Sequence, residues 1–355
     1  MATSVGTHDI SFLLKARSTS AKEFGIGNVV KVFEADLAAH NELVNGMLAD
    51  LCDFTTDAQQ LYGASSVGTM YEVDEYGRAP GQLPAEGGTV GFPLKLFQYN
   101  LGWTKKYLET ASVADLASRL LSAEKAHKQQ ITVQIQEAVL RKTNYTHRDH
   151  LVDNIDINVK QFINADSMAI PNGPNGEAFT ASTHDHYLSS GTCAVADWNN
   201  AVDNLVEHGH GSYVKMNISR TDQATVVALG GYHAYLDPRL HMPGGTTLAN
   251  VSPEKRLDIT RLDNRPIGLL GEAEVWVRPW VPAGYTFIYD AGDARKPLAF
   301  RQRKSVGLQG LRMAAEFDTH PLQTSYMEAE FGIGVLTRSN GVVLYCTADV
   351  WSDGA

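Results

Sequence analysis

From Ser112 to about Lys142 the apolar residues Val113, Leu116, Leu120, Leu121, Ile131, Ile135 and Val139 recur at helical spacing. Ser112-Val-Ala-Asp115 opens this run as a capping box with Asp in the place of Glu. About thirty residues of helix reach on the order of 45 Å. The middle, Glu124-Lys-Ala-His-Lys-Gln-Gln130, is polar nearly all round. That predicts a solvated centre, and it suits the spine of an extended molecule better than the core of a compact enzyme.

The elements around this helix are of mixed type. Val29, Val32, Phe33, Leu37, Leu43, Val44, Met47, Leu48 and Leu51 predict an earlier amphipathic helix in an arm with little core of its own, which packs on something else. From Ser66 the period falls to two, with Val67, Thr69, Tyr71 and Val73 reading as a strand. The Gly- and Pro-rich residues 77–88 follow, and then a second alternating run. In that run Phe92, Leu94 and Leu96 give way to Phe97, Tyr99, Leu101 and Trp103, a change of face that predicts a bulge or twist. The two runs form one long hairpin whose apolar side chains need a partner, with Phe92, Leu94, Phe97, Tyr99 and Trp103 as anchors on a neighbouring subunit.

Beyond the long helix, strands are expected within 151–170, over 214–218, 272–278 and 284–289, and helices over 194–207 and 221–229. Residues 237–253 are irregular, and 326–337 with 342–350 form a closing hairpin around Ser339-Asn340-Gly341. No repeat is evident, and the class is α+β.

Composition narrows function mainly by exclusion. The chain of 355 residues is 43% hydrophobic and carries a net charge of −10, so tight sequence-independent binding of nucleic acid is disfavoured. One basic cluster, Arg295, Lys296, Arg301, Arg303 and Lys304, suits an acidic patch on a neighbouring subunit better than DNA. Cys52, Cys193 and Cys346 are odd in number and far apart; no disulfide framework is implied, and they read as small buried side chains in a reducing compartment. No signal peptide and no membrane span is expected.

Chemistry is thinly signposted. His184 and His186 form an HxH pair and His208 and His210 another, and paired imidazoles bind zinc or iron, but both pairs sit in loop-like sequence without supporting spacing and read as surface histidines. Cys193 lacks a base. Gly25-Ile-Gly27 and Gly332-Ile-Gly334 are too short for phosphate loops. No cofactor is expected.

Three stretches, taken in order, resemble the major capsid proteins of tailed bacteriophages, whose fold encapsulin shells share. They are Asn175-Gly-Glu-Ala-Phe179 through His184 to Tyr187-Leu188; Leu270 to Val277, continued by Val281 to Asp290; and Glu330 to Arg338, leading into Gly341 to Tyr345. The resemblance implies an N-terminal arm (1–62), an extended loop (63–110), a peripheral domain with the spine helix (111–190 and 323–355) and an axial domain (191–322). It further implies self-assembly into pentamers and hexamers of an icosahedral shell around packaged DNA, in the virion and, during assembly, in the host cytoplasm. A separate scaffolding protein, a portal and decoration proteins are the implied partners. Some relatives crosslink a loop lysine to an asparagine; Lys95, Lys105, Lys106 and Asn340 lie in comparable regions, with no sequence reason to assign the reaction. The alternatives are an encapsulin-like compartment and a metal-dependent enzyme using His184, His186, His208 and His210.

Overall fold

The computed structural model describes residues 9–16, 19–62, 70–81, 87–104, 111–235, 264–319 and 322–354. The chain begins with α1 (Ile10–Lys15), α2 (Ala21–Phe24) and α3 (Ile26–Leu48). The long helix, α4 (Val113–Leu140), starts where its cap predicts: the Ser112 hydroxyl oxygen accepts from the Asp115 N–H at 3.2 Å. Its apolar face, including Leu116, Leu120, Ile131, Ile135 and Val139, joins α1 and α3 in the larger of two main cores.

That core lies on a five-stranded sheet of β1 (Cys52–Thr55), β13 (Leu298–Gln302), β15 (Leu322–Val335), β14 (Leu311–Thr319) and β4 (Lys95–Thr104). β15 is the axis of this sheet. Its first part runs between β14 and β4, and its last part pairs with β13. Gly332 on β15 cannot be replaced cheaply, because a Cβ there would collide with the Pro93 carbonyl.

A seven-stranded mixed sheet runs in the order β7 (Tyr187–Ser189), β16 (Val342–Tyr345), β12 (Tyr285–Asp290), β8 (Val214–Ile218), β11 (Ala273–Val277), β10 (Arg265–Leu270) and β9 (Tyr232–Ala234). Alternation along β12 feeds both cores: Phe287 and Tyr289 enter the larger one, while Ile288 enters the smaller. Every residue of β12 is buried, as expected of a strand covered on both faces. The smaller core is closed by α5 (Val195–Val206), through Trp198, Ala201 and Leu205. α6 (Gln223–Val227), a 3-10 turn (Val306–Leu308) and two small hairpins, β2 (Gln59–Tyr62) with β3 (Gly88–Gly91) and β5 (Tyr145–Asp149) with β6 (Ile155–Val159), complete the described elements.

Several expectations are corrected. Residues 70–74 carry no strand, and Val67 and Thr69 lie outside the described residues. β4 pairs with β15, more than 200 residues later in the chain, in a register without a break, so the change of face at Leu96-Phe97 makes no bulge in that ladder. β15 and β16 do not form a closing hairpin; they belong to different sheets. Asn340, between them, is fully buried and bridges the Asp290 backbone, its Oδ1 accepting from N–H at 2.8 Å and its Nδ2 donating to the carbonyl at 3.1 Å.

The polar middle of α4 is solvated on one side only, with Lys125 and Gln129 exposed. Glu124 and His127 are buried against His40 of α3, with His40 Nε2 2.9 Å from His127 Nδ1. The N-terminal helices are likewise part of the subunit's own core, through Leu13, Val29, Phe33, Leu37 and Leu48. Cys193 and Cys346 are joined in a disulfide, Cα atoms 5.4 Å apart, against the reduced state expected; only Cys52 is free, and it is buried. The stretch 237–253 lies outside the described residues. No helix among those described is long and apolar enough to cross a membrane.

Candidate functional site

The residues expected to anchor a neighbour divide by burial. Phe92 and Leu94 are fully buried in the single chain, so they hold the subunit together and offer no surface to another. Phe97 and Tyr99 point inward from β4 and pack on the larger core, Phe97 with its ring centroid 4.8 Å from that of Phe331. Trp103 is in β4, but its side chain lies outside the described residues. The exposed side of β4 is instead Leu96, Gln98 and Asn100.

A larger apolar surface lies in the segment 70–81, which leaves the β2–β3 hairpin without regular structure. Met70 is 98% exposed, Tyr76 88%, and Tyr71 and Val73 about half. Four such side chains within seven residues form a patch that water solvates poorly. Of these, only Tyr71 and Val73 belong to the alternation read in the sequence, and the described residues give them no strand partner.

The basic cluster also divides. Arg301 is 2% exposed and donates to Asp149 at 2.6 Å and to the Phe92 carbonyl at 2.8 Å, and both ion-pair partners are buried. It therefore faces neither DNA nor a neighbour. Arg303 pairs with Glu330 at 2.7 Å, and Lys296 caps the carbonyls of Ala291 and Asp293. Arg295 and Lys304 stay exposed. Of the crosslinking candidates, Asn340 is buried and saturated with hydrogen bonds, Lys95 pairs with Glu137 at 2.8 Å, and Lys105 and Lys106 lie outside the described residues.

The histidines are where the structure departs furthest from expectation. His184 and His186, just ahead of β7, meet His208 and Glu207 at the C-terminal end of α5. His184 Nε2 lies 3.2 Å from His186 Nε2, 2.9 Å from His208 Nε2 and 3.3 Å from Glu207 Oε1. His186 is fully buried, and His184, Glu207 and His208 are partly buried. Burial lowers the pKa of all three imidazoles, His208 to about 3 and His186 well below the ordinary value, aided by the neighbouring rings. His210 stands apart, with Nδ1 2.7 Å from Asp293 and Nε2 2.9 Å from the Ser339 hydroxyl. Glu207 was missed in the sequence, although it directly precedes His208 at a helix end.

No protein-family model and no curated sequence matches the chain. Solved structures do. A chain from Mycobacterium phage Patience superposes with a TM-score of 0.65 over 99% of this chain and 96% of that one, at 18% identity. The capsid structure of cyanophage P-SCSP1u aligns at 0.47 over 85% and 88%, with 9% identity. An encapsulin complex from Synechococcus elongatus aligns at 0.44 over 87% and 89%, with 10% identity. The last two likenesses are too loose to separate one kind of shell from another. The chain shares the fold of the Mycobacterium phage Patience chain, of α+β class.

Proposed function

We propose that this chain is the major head protein of a tailed bacteriophage, assembling with copies of itself into the pentamers and hexamers of an icosahedral shell around the genome. The observation that carries the reading is the match of fold to a phage chain along almost the entire length of both. The exposed apolar segment 70–81 supports it, since a surface of this kind is stabilised by burial against a neighbour. In this reading the chain does no chemistry. The shell is closed by many modest contacts repeated under symmetry.

Residues 1–62 would be the arm and 63–110 the extended loop. The smaller core, drawn from 193–288 with Val342 and Leu344, supports an axial domain beginning near residue 191. β13 and β14 belong to the sheet and core that the spine helix also joins, which favours ending the axial part near residue 290 instead of 322. A scaffolding protein, a portal and decoration proteins would join during assembly in the host cytoplasm, and DNA would be enclosed without sequence-specific contacts.

Purified chain examined by analytical ultracentrifugation and negative-stain microscopy should give rings or closed shells. A small monodisperse species under all assembly conditions would refute the reading, and shells that take up a cargo protein but no DNA would move it to a compartment. Replacing Met70 and Tyr76 by Ser should leave monomer stability within about 0.5 kcal/mol and sharply reduce particle yield.

A further inference from the structure

We propose that His184, His186, His208 and Glu207 bind one divalent transition-metal ion of the zinc class, which fastens the C-terminal end of α5 to the segment entering β7. The inference rests on the chain's own side chains and is independent of what kind of shell the subunit builds.

The first argument is a count of protons. His186 Nδ1 lies 2.8 Å from the Gly341 carbonyl, which can only accept, so Nδ1 carries the hydrogen. In the neutral ring Nε2 is then a bare lone pair, and it points at His184 Nε2. His184 Nε2 also faces His208 Nε2 and Glu207 Oε1. Whether the hydrogen sits on His184 Nε2 or on His208 Nε2, one N–H can serve one of these three contacts and no more. Glu207 Oε1 is itself buried with no hydrogen-bond partner. Buried polar atoms left in this state are costly. A single cation at the centre satisfies all four.

Geometry agrees. The four ligand atoms lie within 4.8 Å of one another. Tetrahedral zinc with bonds of about 2.0–2.1 Å separates its ligand atoms by roughly 3.3 Å. The contacts to His184 Nε2 at 2.9–3.3 Å need an outward movement of only a few tenths of an ångström, and the remaining pairs, within 4.8 Å, would draw in toward that separation. The Nδ1 bond of His186 to a backbone carbonyl is the outer support that metal-bound imidazoles have, fixing the tautomer and the ring plane. Phe179 packs on His184 and His208, with ring centroids 5.0 and 4.2 Å away, and walls the site on one side. Three imidazoles, one carboxylate and no thiolate suit Zn²⁺, and with lower selectivity Co²⁺, Ni²⁺ or Cu²⁺. Four protein ligands fill the tetrahedron, which describes a structural site and not a catalytic one.

Position explains what the ion would do. α5 is already tied at its start, where Cys193 is bonded to Cys346 just beyond β16. The metal would tie its end, both to the stretch before β7 and, through the carbonyl that His186 holds, to the residue before β16. The helix covering the smaller core would then be pinned at both ends to the edge of the seven-stranded sheet.

The test uses the full-length chain, stripped with chelator and titrated with ZnCl₂. Calorimetry and elemental analysis should find one equivalent bound, and the thermal midpoint should rise by at least about 3 °C. CoCl₂ should give the visible absorption of tetrahedral Co²⁺. His208→Ala should abolish binding and His210→Ala should leave it intact. Glu207→Gln, at a half-exposed side chain that does not threaten folding, should weaken affinity at least tenfold. Stoichiometry below about 0.1 in folded wild-type protein, or affinity unchanged in Glu207→Gln together with binding retained in His208→Ala, would overturn the proposal.

Discussion

Asp290 shows how one side chain can organise a junction. It is 2% exposed, and its carboxylate accepts from the backbone N–H groups of Gly211, Ser212, Tyr213 and Gly292 at 2.8–2.9 Å. Burial alone would raise its pKa; the four donors outweigh burial and hold it at about 2. Asp166, between Arg338 and Lys160, is held at about 2 in the same sense. A depressed carboxylate pKa stabilises the fold above the unfolded value near 4, and that contribution is lost as pH falls toward 2. Urea midpoints should therefore decline between about pH 4 and pH 2. Asp290→Asn, which turns an amide NH₂ toward N–H donors, should cost about 2–4 kcal/mol at pH 7 and flatten part of that decline. Arg301 is the second case. Arg301→Ala leaves Asp149 buried without a counter-ion and should cost about 3–5 kcal/mol, while Arg301→Met with Asp149→Leu should restore most of it. Chemical denaturation of the three variants checks this; a DNA-facing arginine would show no such pattern.

At the scale of elements, short-range signals were reliable and pairings were not. Ser112 marked the start of α4, and the runs over 214–218, 272–278 and 284–289 appear as β8, β11 and β12. Their patterns need only neighbours in sequence. The partner of β4 was not legible, because an alternating strand announces which face is apolar and leaves open which edge it joins. The polar middle of α4 misled for a related reason: Glu124 and His127 look solvated until His40 on α3 supplies their partners. Three scattered cysteines gave no hint that two would meet across 153 residues. Thiol titration of the denatured, unreduced chain should find one reactive thiol, Cys52, and three after reduction. Reduction or Cys193→Ser should lower stability by about 2–4 kcal/mol.

At the scale of the whole molecule, the arm is part of the foundation. Leu13, Val29, Val32, Phe33, Leu37, Val44 and Leu48 are all buried in the larger core. Their burial contributes on the order of 10–20 kcal/mol, comparable to the entire stability of an ordinary domain. A chain lacking residues 1–48 should therefore be insoluble or unfolded on expression, not a folded subunit deficient only in assembly. Circular dichroism and limited proteolysis of the truncated protein decide between these outcomes. In the proposed shell the surface left for contacts between subunits is correspondingly smaller than the sequence implied, and among the described residues its most exposed apolar part is the segment 70–81. The sequence by itself determined the α+β class, the long capped helix and the central strands. All of these are written in local periodicity and turn chemistry. Only the tertiary structure decided which apolar residues are buried within the chain and which stay exposed, which cations are buried in ion pairs, and that His184, His186, Glu207 and His208 share one point. Those outcomes depend on contacts between residues far apart in the chain, and a one-dimensional pattern tells a side chain which way to face without saying what it will meet.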